Sequence, residues 1–247
     1  MSTGYWIEDA PPSKPPPLGG VANAAVRRLR GAILRGTPRF PPPGALAAVS
    51  LAYYLLARLG VAIGVPPDGI AVFWPPNAII LCTFLIVAPA RWWAFVSGFL
   101  AAEVAGDIPA FTIGEAIGFG IVNCFEGMLS ALILRRLFAS GFRLSSAREL
   151  LYFILVGIVG VPAVAALGGA AIYVLGGSNE SYLVLWRVWW VGDAVGLVAL
   201  APFILALWWR FQDGFGSLRV SYWFELGLAL SVLAAATAVA FQLDQPA

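Results

Sequence analysis

Histidine is absent from this 247-residue chain. With it go His-ligated haem, His-rich metal sites, Ser/His catalytic triads and phospho-relay histidines. Charge is scarce as well: only 11% of residues are Asp, Glu, Lys or Arg, against about 25% in an ordinary soluble domain. Cysteine is limited to Cys82 and Cys124, both within apolar runs, so no disulfide framework exists and the residues say nothing of the compartment. No paired catalytic aspartate motif of an intramembrane protease is present. What the chain has instead is apolar length. Sixty per cent of it is hydrophobic and ten residues are Trp, which marks a polytopic membrane protein.

Residues 1–43 are not part of a core. Two proline runs, at 11–17 and 41–43, favour extended polyproline conformations. Between them, residues 21–36 place Val21, Ala25, Leu29 and Ile33 near one helical face, with Arg27, Arg28, Arg30 and Arg35 mostly elsewhere. Two readings stay open for it, a cationic helix on the inner leaflet and a solvated basic tail. A cleavable signal peptide is not expected, because the first apolar run starts some forty residues in.

A window of about 20 residues places seven spans, at 44–64, 70–89, 92–108, 112–134, 150–175, 184–208 and 222–242. The expected fold is an all-α transmembrane bundle over residues 44–247. Prolines interrupt it at Pro75/Pro76, Pro162 and Pro202, which membrane helices tolerate where neighbours satisfy the freed carbonyls. The pairs Gly114/Gly118 and Gly192/Gly196 have the spacing for close helix contact. Tryptophans at 92, 93, 186, 189, 190, 208 and 209 read as interfacial belts. With the N terminus cytoplasmic, thirteen of the fifteen Lys and Arg residues fall on the inner side, all but Arg58 and Arg187. Seven spans then leave the C terminus outside.

Three carboxylates lie deep. At 1.5 Å per residue, Asp193 is about 14 Å from its nearer interface, Glu103 about 16 Å and Glu126 about 20 Å, so they approach a common level. Leaving one ionised at midplane costs about 2.5–3.5 kcal/mol. Protonating a Glu at pH 7 costs roughly 3.7 kcal/mol before any environmental shift. Arg58 and Arg187 sit near the outer interface and suit Asp107 or Glu115, which are expected to be solvated there. Something else must meet the deep acids: shared protons, Asn77 and Asn123, indole N–H groups, water, or a cationic or hydroxyl-rich ligand. The candidate site is therefore a ligand- or proton-sensing cavity lined by Trp74, Asn77, Glu103, Asn123, Glu126 and Asp193. Interhelical hydrogen bonding by protonated carboxyls is the structural alternative. Arg135/Arg136 read as anchors of the inner end of the fourth span, and Cys124, with no cationic neighbour, as inert packing.

The stretches FWPPNAIILCTFLI (73–86), RWWAFVSGFLAAEVAGD (91–107), NCFEGMLSALILRR (123–136) and WWVGDAVGLVALAPFIL (189–205) together resemble the MASE1 family of bacterial integral-membrane sensor domains. The resemblance covers roughly residues 44–242. It implies a non-enzymatic sensory input domain in the cytoplasmic membrane, with no cofactor and no nucleic acid. It also implies a cytoplasmic diguanylate cyclase, phosphodiesterase or histidine kinase output, and a homodimer by analogy with outputs that pair. Family members usually have eight helices, so a chain ending after a seventh reads as a truncated piece or as an orphan signalling through a partner. A proton-coupled or small-solute transporter would use the same carboxylates, but no internal repeat supports it. A partner-binding membrane scaffold is the other rival.

Overall fold

The computed structural model describes residues 41–64, 69–138 and 141–213, and every regular element among them is helical. Helix α1 spans Pro43–Ala62, α2 Pro76–Ile86, α3 Trp92–Asp107, α4 Ile113–Leu137, α5 Ala147–Tyr152, α6 Val161–Leu175 and α7 Tyr182–Asp213. A 3-10 turn at Pro89–Arg91 leads into α3, and π-helical Phe153–Gly160 joins α5 to α6. Among the described residues, four rods are long and apolar enough to cross a membrane: Pro43–Ala62, Ile113–Leu137, Ala147–Leu175 and Tyr182–Arg210. The expected basic helix at 21–36 and the expected span at 222–242 lie outside the described residues.

The expected span at 70–89 needs correction. Helix α2 has only 11 residues, about 16 Å of rise, roughly half the thickness of a hydrocarbon core. Pro75 and Pro76 set its start. Proline suits the first helical position, where its missing N–H costs nothing, and Pro75 before it, although helical in its backbone angles, has no N–H to offer either. The helix ends where Val87 and Ala88 turn extended ahead of Pro89. Despite its length, α2 is the centre of the bundle. It is packed by α1, α4 and α7, and eight of its eleven residues are buried. Around it, α1 packs on α3, α4 on α3 and α6, and α6 on α7.

Non-helical backbone at membrane depth is tolerated only where protein or a cavity covers it. The segment leading into α2 meets that condition by lying on α7. Trp74 N–H donates to the Gly192 carbonyl at 2.9 Å, and a Cβ on Gly196 would stand 2.8 Å from Pro75 N, hard against the Trp74 carbonyl. The Gly192/Gly196 pair thus admits an irregular strand of chain rather than a second helix. A Cβ on Gly114 would meet nothing within 4 Å, and one on Gly118 would meet only the Ile172 side chain.

The tryptophan belt also needs revision. Trp93 and Trp208 are exposed, but the five others serve the interior. Pro162 has no N–H to offer the Ile158 carbonyl one turn back; Trp190 Nε1 donates to that carbonyl at 3.1 Å. Trp186 Nε1 donates to the Ala163 carbonyl at 2.8 Å. Trp209 Nε1 reaches the Phe142 carbonyl at 3.2 Å, and Trp92 Nε1 the Val87 carbonyl at 3.0 Å. Trp189 is buried against Phe119 and Tyr173. Faces that remain exposed are apolar at helical spacing, Leu51, Leu55 and Leu59 on α1 and Ile113, Ile117 and Ile121 on α4. That pattern suits lipid.

Gly196→Val should destabilise the detergent-purified chain by about 1–3 kcal/mol or more, because backbone rather than a movable side chain stands in the way. Gly114→Ala, in open space, should be neutral or stabilise by up to about 1 kcal/mol. Thermal melts of the two variants against the parent read the contrast.

Candidate functional site

The N-terminal end of α2 carries Asn77 into the bundle, and the deep acids converge there. Asn77 Nδ2 donates to Glu126 Oε1 at 3.1 Å, Asp193 Oδ1 at 3.0 Å and Asn123 Oδ1 at 3.3 Å. Asn123 Nδ2 passes the connection on to Glu103 Oε1 at 2.6 Å. Tyr53 OH, from α1, donates to the other Glu103 oxygen at 2.9 Å. One network therefore ties α1, α2, α3, α4 and α7, and all of its side chains are fully or almost fully buried. Helix geometry explains the convergence. Asn123 and Glu126 are three apart on α4 and share a face, and α2 presents its positive N-terminal end to the carboxyls.

The donors do not balance the acceptors. An amide nitrogen has two hydrogens, yet Asn77 Nδ2 faces three acceptors. Asn77 Oδ1, Glu126 Oε2 and Asp193 Oδ2 are buried with no partner, and so are the indole nitrogens of Trp74 and Trp189. The Glu126 and Asp193 carboxyls share the single Asn77 amide nitrogen as donor, and each keeps one oxygen without a partner. Trp189, one helical turn before Asp193 on α7, closes no hydrogen bond with its indole nitrogen.

Beside this network lies a cavity of about 30 Å³, room for one or two waters. Of the six residues expected at the site, Trp74, Glu103 and Asp193 line it. Asn77, Asn123 and Glu126 stand behind them in the hydrogen-bond network. All six come together, but only half of them face the open space.

Nine wall residues were not in the expected set, and two of them, Asp107 and Trp189, carry polar atoms without partners. Asp107 was expected to be solvated near an interface, where Arg58 and Arg187 suit it or Glu115. It is 1% exposed, both its oxygens lack a partner, and it lines the cavity. Arg58 donates instead to the Gly106 and Ile108 carbonyls at 3.1 and 3.2 Å, closing the C-terminal end of α3. Trp189 and the Phe111–Phe119–Tyr173 group complete the wall. A signal was available for two of them. Asp107 follows Glu103 by four residues, a repulsive like-charge pair on one helical face, at a helix C-terminus where an anion is unfavourable. Trp189 precedes Asp193 by the same interval. Glu115 behaves differently: it makes a capping box with Thr112 at the start of α4 and takes no part in the site.

The far end of α2 is held by charge of the opposite sign. Arg135 Nη1 donates to the carbonyls of Phe84, Leu85 and Val87 at 2.9–3.1 Å, and its guanidinium lies 6.0 Å from the centre of the Trp92 ring. Arg135 is thus a cap for α2. Arg136 is exposed.

The family model of the MASE1 domain matches residues 45–243. No curated protein and no solved structure gives a significant match.

Asn123→Leu would strip Glu103 of its shortest donor and should cost about 1–3 kcal/mol. Ser130→Ala, one helical turn beyond Glu126 on α4, removes a hydroxyl that has no partner and should change stability by less than about 0.5 kcal/mol. Denaturation in mild detergent compares them.

Proposed function

From a chain that belongs to the MASE1 family of membrane-associated sensor domains, we propose a sensory input role in the bacterial cytoplasmic membrane. The sensor comprises residues 44–247, preceded by a cytoplasmic tail, and it reads the occupancy of the Glu103–Asn123–Asn77–Glu126/Asp193 cluster by a small ligand or by protons. The family is one of sensory input domains rather than catalytic ones. Output of the diguanylate cyclase, phosphodiesterase or histidine kinase type would be reached in the same chain or through a partner.

One observation carries this reading: five helices meet in a single buried polar network that is short of donors and adjoins a cavity. A network of that kind is stable only with protons or a guest supplied, so its occupancy and its geometry are linked. Cavity volume supports a guest of very few atoms, since anything of metabolite size would have to force the walls apart. A route to the inner side is available along α7. The helix that bears Asp193 continues to Trp209, whose indole bonds to Phe142 and lies 4.3 Å beneath the Arg143 guanidinium. Any displacement of Asp193 along that rod reaches the loop before α5. A tenfold ligand preference for one arrangement shifts the balance by about 1.4 kcal/mol.

Hydrogen–deuterium exchange of the chain in lipid nanodiscs tests the reading. Replacing Asn77 by Leu should alter exchange both around α2 and at residues 141–146 with the inner end of α7. A change confined to the residues packed on Asn77 would mean a static scaffold. Solute uptake into proteoliposomes, blocked by the same substitution, would mean a transporter.

A further inference from the structure

Resting on that sensory reading, we propose that the cavity between α3 and α7 is a binding site for a weakly hydrated monovalent cation of ammonium or potassium size. Three buried carboxylates line a space of about 30 Å³: Glu103 and Asp107, one turn apart on α3, and Asp193 on α7. Asp107 brings two oxygens without partners and Asp193 brings one. Among the described residues no Lys or Arg lines the cavity; Arg58, the nearest candidate, is committed to the Gly106 and Ile108 carbonyls. An uncompensated buried carboxylate is costly, and a cation placed among several of them relieves that cost.

The remaining wall selects among cations. Trp74, Phe111, Phe119, Tyr173 and Trp189 supply aromatic surface, with Phe119 in ring contact with Phe111, Tyr173 and Trp189. Ring faces attract cations that give up their water readily, but they offer no lone pairs to replace the shell of a strongly hydrated one. Divalent metals fit poorly, because a wall this aromatic lacks the full set of oxygen ligands that would replace their tightly held water. The volume excludes large organic cations. Protons compete for the same oxygens, and the groups that share the field are Tyr53 and Arg58 on α1, Glu103 and Asp107 on α3, Cys124 and Glu126 on α4, and Asp193 on α7.

The test uses the full chain in nanodiscs at fixed pH, with N-methylglucamine holding the ionic strength. Ammonium, potassium, sodium and tetramethylammonium chlorides are titrated in turn, while tryptophan emission, to which Trp74 and Trp189 contribute from the site, and melting temperature are followed. A saturable response to ammonium or potassium is expected, with sodium weaker and tetramethylammonium silent. Asp107→Asn should weaken the response by about tenfold or more, and Glu115→Gln, in the capping box away from the cavity, should leave it unchanged. If Asp107→Asn shows no melting transition, Phe119→Leu, which keeps every charge and trims one aromatic wall, should weaken the response instead. The proposal is overturned by a folded wild type with no saturable response, by affinity unchanged in Asp107→Asn, or by sodium or tetramethylammonium matching ammonium. No cation response together with intact exchange coupling between Asn77 and the inner loop removes the cation and leaves the sensory reading. A cation response without that coupling leaves a binding site and removes the relay.

Discussion

A helix of eleven residues at the centre of a membrane bundle is too short to bring both ends to the membrane surfaces, and terminal backbone groups left inside must be met by protein. Much of the structure follows from how that is done. At the start of α2, the incoming chain lies on α7 through the Trp74 N–H to Gly192 bond, and Asn77 gathers two carboxyls. At its end, Arg135 and the Trp92 indole take the free carbonyls. Acids face the positive pole of the helix and a guanidinium faces the negative one, the arrangement the helix dipole favours.

The same solution creates the candidate site. Satisfying the start of α2 with carboxylates imports charges that are expensive at that depth. The network then needs more hydrogens than Tyr53, Asn77 and Asn123 supply, and Asp107 opens a further set of unpartnered oxygens onto the cavity. Groups that hold five helices together are thus the groups whose state depends on what enters. On the proposed reading, bundle stability and sensory response share one set of bonds, so that a change at Asp193 would displace elements that a peripheral pocket would leave alone.

Much of this was readable in the chain itself. Depth counting placed Glu103, Glu126 and Asp193 at one level, and the network joins them; Asn77 and Asn123 were the amides within reach. The W-P-P stretch was recognisable as an interruption but not as the start of a half-length central helix. Apolar content there continues unbroken from 70 to 89, and hydropathy does not register backbone geometry. Asp107 was misplaced because counting from a helix end measures depth along one rod, whereas its burial comes from the residues of other segments that wall the cavity. The tryptophans were misassigned for a related reason. An indole beside a headgroup and an indole bonded to a carbonyl freed by Pro162 have the same local sequence, and only the register of α6 against α7 separates them.

The central claim is that Asn77 and Asp193, 116 residues apart, stabilise the bundle through each other. A double-mutant cycle with Asn77→Ala and Asp193→Asn, measured by reversible unfolding in mild detergent, tests it most directly. A coupling energy of about 1 kcal/mol or more is expected. Additivity within about 0.3 kcal/mol would contradict it, and would mean that the deep carboxyls are accommodated one at a time and that no shared network exists to be sensed.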